Sequence, residues 1–495
     1  MTGAPEGPLR HRALQAIGWS MTAGLTTMAL SFVGNVVLAR LVGPVAFGQF
    51  AFAVAIVAVI FLAGGFVSYE AIVQCRTEDE DGLGGTALIL GLILACLLGC
   101  ISGGAVWLAS AEVPPPERRA LCLLGFSSAV TMVGYVIAAL QMRRLRFRAL
   151  ALATILGTVV SLIVAIAMAR RGLGVRALVG REVINAIVVI GTLSLSASLP
   201  GILWRRSAFD TIRPVGAGMC VARGTDEGFG RIDNIIVGAV LGPAALGFYA
   251  QAYRLALVGY QSTVGLVQPV LLSVYARLEP GRRNRVLVIN VAWMGRLFPL
   301  IGLLVWYEGS VVVQKLFGQE WLTAGRLFAL FGPFLTLRAF EANLRSFLMA
   351  AGQLKAVVRS RLVVLAIFIP AVGWSATAFG LSAVVWAVTG CMGLLVVFMY
   401  VLVSARCDLL RWEFLVRPAI ATVVTVAAAG LIGISPAAVL LDARGGGVLE
   451  SAALVIGIYT TALVLMDASG IRGDVNKLRS YLGLTVSRVS PVSAE

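Results

Sequence analysis

The sequence is poor in charge and almost devoid of histidine. Of its 495 residues only 13% are Asp, Glu, Lys or Arg, against 59% hydrophobic. Mean hydropathy is +0.93. So few charges cannot cover the surface of a soluble chain of this length, which excludes the string of soluble domains that length alone would allow. The single histidine, His11, excludes a histidine-based catalytic triad and any multi-histidine metal site. The seven cysteines (Cys75, Cys96, Cys100, Cys122, Cys220, Cys391 and Cys407) include no CxxC pair, and most fall within apolar runs. They read as small core residues, not as a disulfide framework or zinc site, and no cofactor or metal is expected. No A-x-A-like cleavage site soon follows the first apolar stretch, so that stretch reads as a retained helix. Connectors large enough for a folded extramembrane domain are also missing.

What remains is a succession of apolar runs of about 20 residues, the length a helix needs to cross a bilayer. We read fourteen spans, near 14–41, 46–66, 83–109, 119–140, 147–169, 174–197, 214–241, 245–272, 286–307, 322–350, 357–378, 381–404, 416–435 and 448–467. The fold class is an all-α polytopic membrane protein of about fourteen transmembrane helices. The formal charge of +16 would suggest nucleic acid in a soluble chain. Here the basic residues sort by loop. With the N-terminus inside, 24 Lys and Arg fall on the cytoplasmic side and 8 on the outer side. That asymmetry predicts both termini in the cytoplasm and makes the charge excess topogenic, with no nucleic-acid partner.

The chain matches itself. Residues 35–51 read NVVLARLVGPVAFGQFA and residues 234–250 read NIIVGAVLGPAALGFYA, an offset of 199. Asn35/Asn234, Gly43/Gly242, Pro44/Pro243, Ala46/Ala245, Gly48/Gly247 and Ala51/Ala250 are identical. A weaker match, GVRALV at 174–179 against GLSAVV at 380–385, follows at offset 206, a slip that a longer connector at 307–321 would explain. Gly-Pro by itself marks a turn between helices, but a match on both sides of it, recurring elsewhere, signals duplication. Six spans separate the copies, so both enter the membrane the same way, as a parallel repeat about an axis along the membrane normal. The expected organisation is an N-terminal six-helix lobe (1–198), a cytoplasmic linker (199–213), a C-terminal six-helix lobe (214–404), and two further helices with a tail (405–495).

Eight basic residues lie within the spans: Arg181, Arg223, Arg231, Arg254, Arg296, Arg326, Arg338 and Arg345. Five acids join them: Glu182, Asp226, Glu227, Asp233 and Glu341. Each costs about 2.5–3.5 kcal/mol at a helix centre, so they must line a polar cavity, pair with each other, or sit near an interface. Arg223, Glu227 and Arg231 are four apart and share one helix face; Asp226 and Asp233 share another. Arg338, Glu341 and Arg345 form an i, i+3, i+7 stripe. The partners of the charged residues at 223–233 in the first copy are Gly24, Thr27, Met28, Phe32 and Gly34, so one copy is plain and the other charged. The bland reading is a set of interhelical salt bridges. The functional reading is a cavity with surplus arginine, suited to an anion because guanidinium forks match phosphate oxygens. Arg223, Arg231, Arg254, Arg338 and Arg345 are then substrate-binding candidates, and Asp226, Glu227, Asp233 and Glu341 are candidates for coupling an ion or proton.

Three segments resemble the polysaccharide-transport branch of the multidrug/oligosaccharidyl-lipid/polysaccharide (MOP) flippase superfamily: RIDNIIVGAVLGPAALGFYAQAYRLA at 231–256, its echo LARLVGPVAFGQFAFA at 38–53, and LQMRRLRFRALALA at 140–153. QPVLLSVYARL at 268–278 resembles the proline-led stretch of that branch. The resemblance implies two six-helix lobes and export of a lipid-linked glycan, such as a lipopolysaccharide or exopolysaccharide repeat unit, across the bacterial inner membrane, with no catalysis. Partners would be a polyprenyl-diphosphate-linked oligosaccharide, membrane lipid, and polymerase or chain-length-regulator machinery. The alternatives are a cation-coupled drug antiporter of the same superfamily, whose cavity should be acid-rich, and an integral-membrane glycan polymerase or glycosyltransferase, which needs an acidic catalytic pair or a large extramembrane loop.

Overall fold

The computed structural model describes residues 6–75, 79–144, 146–196, 201–261, 264, 266–406 and 456. Among these the chain is helical almost throughout and has no strand. Helix α1 (Glu6–Val42) and α2 (Pro44–Ile60) are joined by Gly43 alone; a 3-10 turn (Phe61–Val67) and the short α3 (Tyr69–Gln74) follow. Next come α4 (Glu80–Ala109), α5 (Pro115–Arg143), α6 (Phe147–Arg170) and α7 (Val175–Ser196), then α8 (Arg206–Tyr260) and α9 (Leu266–Arg277). The remainder comprises α10 (Pro280–Phe317), α11 (Leu322–Leu330), α12 (Gly332–Ala350), α13 (Leu354–Phe379) and α14 (Leu381–Arg406).

Local chemistry sets these boundaries. Pro44 and Pro115 occupy first-turn positions, where a missing N–H costs nothing. Asp79 caps α4 by accepting from the Gly82 N–H at 3.0 Å, and Ser68 caps α3 by accepting from Ala71. Hydroxyls within the helices satisfy themselves on the preceding turn, as Thr131 does on Ser127 and Thr158 on Thr154. That is how a polar side chain is tolerated in a membrane helix.

Ten helices among the described residues are long and apolar enough to cross a membrane. The spans expected at 416–435 and 448–467 lie outside the described residues, apart from Ile456. The expected seventh span, 214–241, is helical within α8, whose stretch long and apolar enough to cross a membrane runs over Gly230–Tyr260. The expected tenth span, 322–350, is two helices, α11 and α12, broken at Phe331. The stretch 307–321, read as a connector, is instead helix up to Phe317 with a 3-10 turn behind it; the added residues lengthen α10 rather than a loop. Arg361, one of the 24 basic residues assigned to the cytoplasmic side, is buried within α13.

The chain divides into two compact units. One comprises Met1–Ala252, Val313–Leu327 and Arg361–Ala387; the other comprises Tyr253–Val312, Phe328–Ser360 and Val388–Glu495. In the first unit α4 packs along α5, α5 and α6 along α7, and α1 along α6. Small residues set the α4–α5 crossing: a methyl group on Gly125 would meet the Ser102 Oγ at 2.6 Å and the Gly99 carbonyl at 2.8 Å. Between membrane helices this close backbone approach supplies dispersion where lipid removes the hydrophobic drive. In the second unit Gly302 and Gly332 make the equivalent crossing of α10 and α12.

Candidate functional site

The charged stripe of the second unit is built on α12. Residues 338, 341 and 345 fall on one face of this helix. The Glu341 carboxylate is fully buried, at 0% exposure, and its two oxygens are shared between two arginines. Arg338 Nη1 reaches Oε2 at 3.1 Å and Arg345 Nε reaches Oε1 at 3.3 Å, with side-chain exposures of 23% and 17%. Two guanidinium groups against one carboxylate leave the cluster with net positive charge. The carboxylate also fixes both forks in place, because removing it would leave two like charges adjacent in a low-dielectric setting.

One residue overlooked in the sequence completes this cluster. Tyr260, at the end of α8, lies with its ring 5.3 Å from the Arg338 guanidinium. Its own hydroxyl donates to Gln268 Oε1 at 3.3 Å. A second buried network holds the other side of α12. Asn290 donates to the Tyr275 hydroxyl at 2.8 Å, and Tyr275 donates to Asn343 Oδ1 at 2.8 Å. Residues 341 and 343 project from nearly opposite faces of a helix, so this network fixes the rotation of α12 and with it the direction of the Arg–Glu–Arg stripe. Arg283 strengthens the hold by donating to the Ala350 carbonyl at the end of α12. Polar residues inside apolar spans were the available signal for Asn290 and Asn343.

The first unit contains the other candidate group, on α8. Arg231 Nε pairs with Glu227 Oε2 at 3.1 Å, and both side chains are substantially exposed. Asp233 is separate from this pair and buried; it accepts from the Tyr249 hydroxyl at 2.7 Å and from the Asn234 N–H at 2.8 Å. Tyr249, also buried, carried no signal in the sequence beyond its place in the repeat. The side chains of Arg223 and Asp226 lie outside what is described, and Arg254 is exposed at the start of the second unit's part of α8. Among the described residues no group of three or more His, Cys, Asp or Glu could hold a metal ion.

The two repeat motifs meet within the first unit. Gly43 adopts φ 80°, ψ 167°, and Gly242 φ 84°, ψ 175°, so the duplicated turns share one conformation open to glycine but strained for other residues. Gly48 lies directly against the carbonyl of Pro243, and Gly247 against the carbonyl of Pro44. Trp321 covers this crossing. It donates from Nε1 to the Ala39 carbonyl at 3.1 Å and packs edge-on against Phe47 of one copy and Phe248 of the other. Arg40 adds a fork onto the carbonyls of Lys315 and Leu316, which the end of α10 leaves without helical partners.

Comparison with known proteins bears on what such an architecture is for. The sequence profile of a family described as polysaccharide biosynthesis protein matches residues 37–326. The succinoglycan biosynthesis transport protein ExoT of Rhizobium meliloti (strain 1021) is 22% identical over 314 residues, covering 62% of this chain and 63% of that protein. Among solved structures, a lipid II flippase MurJ in an inward closed conformation superposes with a TM-score of 0.71 at 13% identity, over 92% of this chain and 100% of that one. An inward-facing multidrug resistance MATE family transporter of the MOP superfamily gives 0.62 at 14% identity, over 77% and 94%. At such identities these likenesses establish a shared fold: all-helical, membrane-spanning and MurJ/MATE-like.

Proposed function

Because the chain belongs to the polysaccharide biosynthesis protein family, we propose that it is a flippase. It moves a polyprenyl-diphosphate-linked oligosaccharide, the repeat unit of a surface polysaccharide, across the bacterial inner membrane. The observation carrying this reading is the buried Glu341 held between Arg338 and Arg345, a net-positive stripe inside a transporter fold. The relatives above are transport proteins by name. The reading therefore invokes transport and no bond chemistry.

In this reading the arginine forks hold the diphosphate while the polyprenyl tail stays in lipid. Arg338 and Arg345 are the principal seats, and Arg223, Arg231 and Arg254 are the remaining binding candidates. Surplus arginine argues against a cation-handling drug antiporter, and the short connectors argue against a polymerase or glycosyltransferase. Duplicated lobes (1–198 and 214–404, joined by 199–213) rock about the repeat axis to give alternating access, and 405–495 adds two helices outside the duplicated core. Asp226, Glu227, Asp233 and Glu341 are the coupling candidates for an ion or proton. Both termini are cytoplasmic, and the exported unit passes to polymerase and chain-length-regulator machinery. A deletion strain tests this. Lipid extraction should recover the lipid-linked precursor in full, confined to the cytoplasmic face, while surface polysaccharide is lost. Failure to make the repeat unit at all would reassign the protein to biosynthesis of the precursor.

A further inference from the structure

The turn between α5 and α6 carries Arg143, Arg144, Arg146 and Arg148, four arginines in six residues. Between Glu117 and Glu182 the chain contains no acidic residue. Arg143 turns inward and donates from Nη1 to the carbonyls of Ile72 at 3.1 Å and Cys75 at 2.6 Å, which anchors the turn. Arg144, Arg146 and Arg148 are exposed. A basic turn at a helix end is what topogenesis alone would leave. Two further features are not explained that way.

The first is Trp19 on α1, the helix that packs along α6. Its ring is partly exposed and lies 5.7 Å from the Arg148 guanidinium. Tryptophan with an arginine over its face, at the end of two packed spans, marks headgroup depth. The second is the face of α6 beneath Arg148. Leu152, Leu156 and Val160 follow at four-residue intervals, all exposed, so that an apolar track descends from the guanidinium on one side of the helix. From Arg148 to Val160 the track is about 18 Å long, close to the hydrocarbon depth of one leaflet, about 15 Å.

We propose that this edge of α1 and α6 is a seat for an anionic phospholipid. Its phosphate rests on Arg146 and Arg148 beside Trp19, and an acyl chain lies along Leu152, Leu156 and Val160. A zwitterionic lipid presents the same phosphate, but its ammonium group brings a further positive charge beside Arg146 and Arg148, whose own stretch of chain carries no acid. The seat therefore discriminates by net headgroup charge. It stands independently of the transported substrate, since it uses none of the residues on α8 or α12.

Native mass spectrometry of the full-length protein, equilibrated with phosphatidylglycerol or phosphatidylcholine of matched chains, tests the seat. The wild type should retain phosphatidylglycerol preferentially. Arg146→Ala/Arg148→Ala should lose that preference by about twenty-five-fold, at about fivefold for each arginine. Arg148→Glu should lose it altogether. Thermal melting in phosphatidylcholine nanodiscs should be alike for all three proteins, which separates loss of the seat from misfolding; if the double variant melts early, Arg148→Gln is read instead. Equal retention of the two lipids by the wild type, or unchanged preference in the variants, would overturn the proposal. Displacement of phosphatidylglycerol by polyprenyl diphosphate at equal mole fraction would also overturn it, by marking the turn as a loading point for substrate.

Discussion

Gly48 and Gly247 are related by the repeat offset of 199 residues, and each lies against the carbonyl of the other copy's turn proline: Gly48 on Pro243, Gly247 on Pro44. Exchanging the copies exchanges the contacts, as at a two-fold interface between identical subunits. The duplication visible in the sequence is thus also a packing relationship in space. A β-carbon on either glycine would collide with backbone, which cannot swing aside. Gly48→Ala and Gly247→Ala should each destabilise the protein by about 1–3 kcal/mol, seen as a lower melting temperature in detergent. Gly104→Ala, with open space at its β-position, should melt as the wild type does.

The Arg338–Glu341–Arg345 cluster distinguishes a structural salt bridge from a binding site. If it is only structural, replacing one arginine weakens the pairing of a buried carboxylate, and adding Glu341→Gln should restore the protein. If it binds diphosphate, Arg345→Ala should insert at normal levels yet export poorly, and Glu341→Gln should not rescue it. Arg345→Lys should recover export only in part, because a single ammonium cannot fork onto two phosphate oxygens. Membrane levels and polysaccharide export, measured side by side, decide between these outcomes. Full export by Arg338→Ala/Arg345→Ala would remove the cluster from substrate binding.

Asp233 and Tyr249 make a separate test. The Tyr249 hydroxyl is one of two donors to a buried carboxylate. Tyr249→Phe should cost about 1.5–3 kcal/mol, the usual worth of a hydrogen bond to a charged group. Asp233→Asn keeps an acceptor for Tyr249 and should fold. If Asp233 couples an ion, transport into vesicles by Asp233→Asn should no longer respond to an imposed proton or sodium gradient. An unchanged gradient response would leave Asp233 as a purely structural group.

Orientation is testable without a substrate. Alkaline phosphatase and green fluorescent protein fusions at Gly445 and at Glu495 should report opposite sides, with Glu495 cytoplasmic. Same-side reports would leave an odd number of crossings out of the fourteen-span arrangement.

The sequence by itself determined the solvent, the class and the repeat. Low charge and apolar runs of bilayer length force a helical membrane protein, because a backbone in lipid must satisfy its own hydrogen bonds. The Gly-Pro turns were legible because glycine tolerates a positive φ that other residues avoid. The spacing of Arg338, Glu341 and Arg345 was legible because helical periodicity alone puts them on one face. The sequence could not say which charges meet. Asp233 was grouped with Asp226 by face, yet in the folded chain it bonds Tyr249, sixteen residues away across the Gly242 kink. Tyr260 joins the arginine cluster from another helix, and Tyr275, Asn290 and Asn343 converge from three helices to fix the rotation of α12. Trp321 bridges Phe47 and Phe248 from a stretch that read as a connector. Periodicity reports the face of one helix, whereas a contact between helices depends on crossing angle and depth, which side-chain packing decides only after the helices have formed.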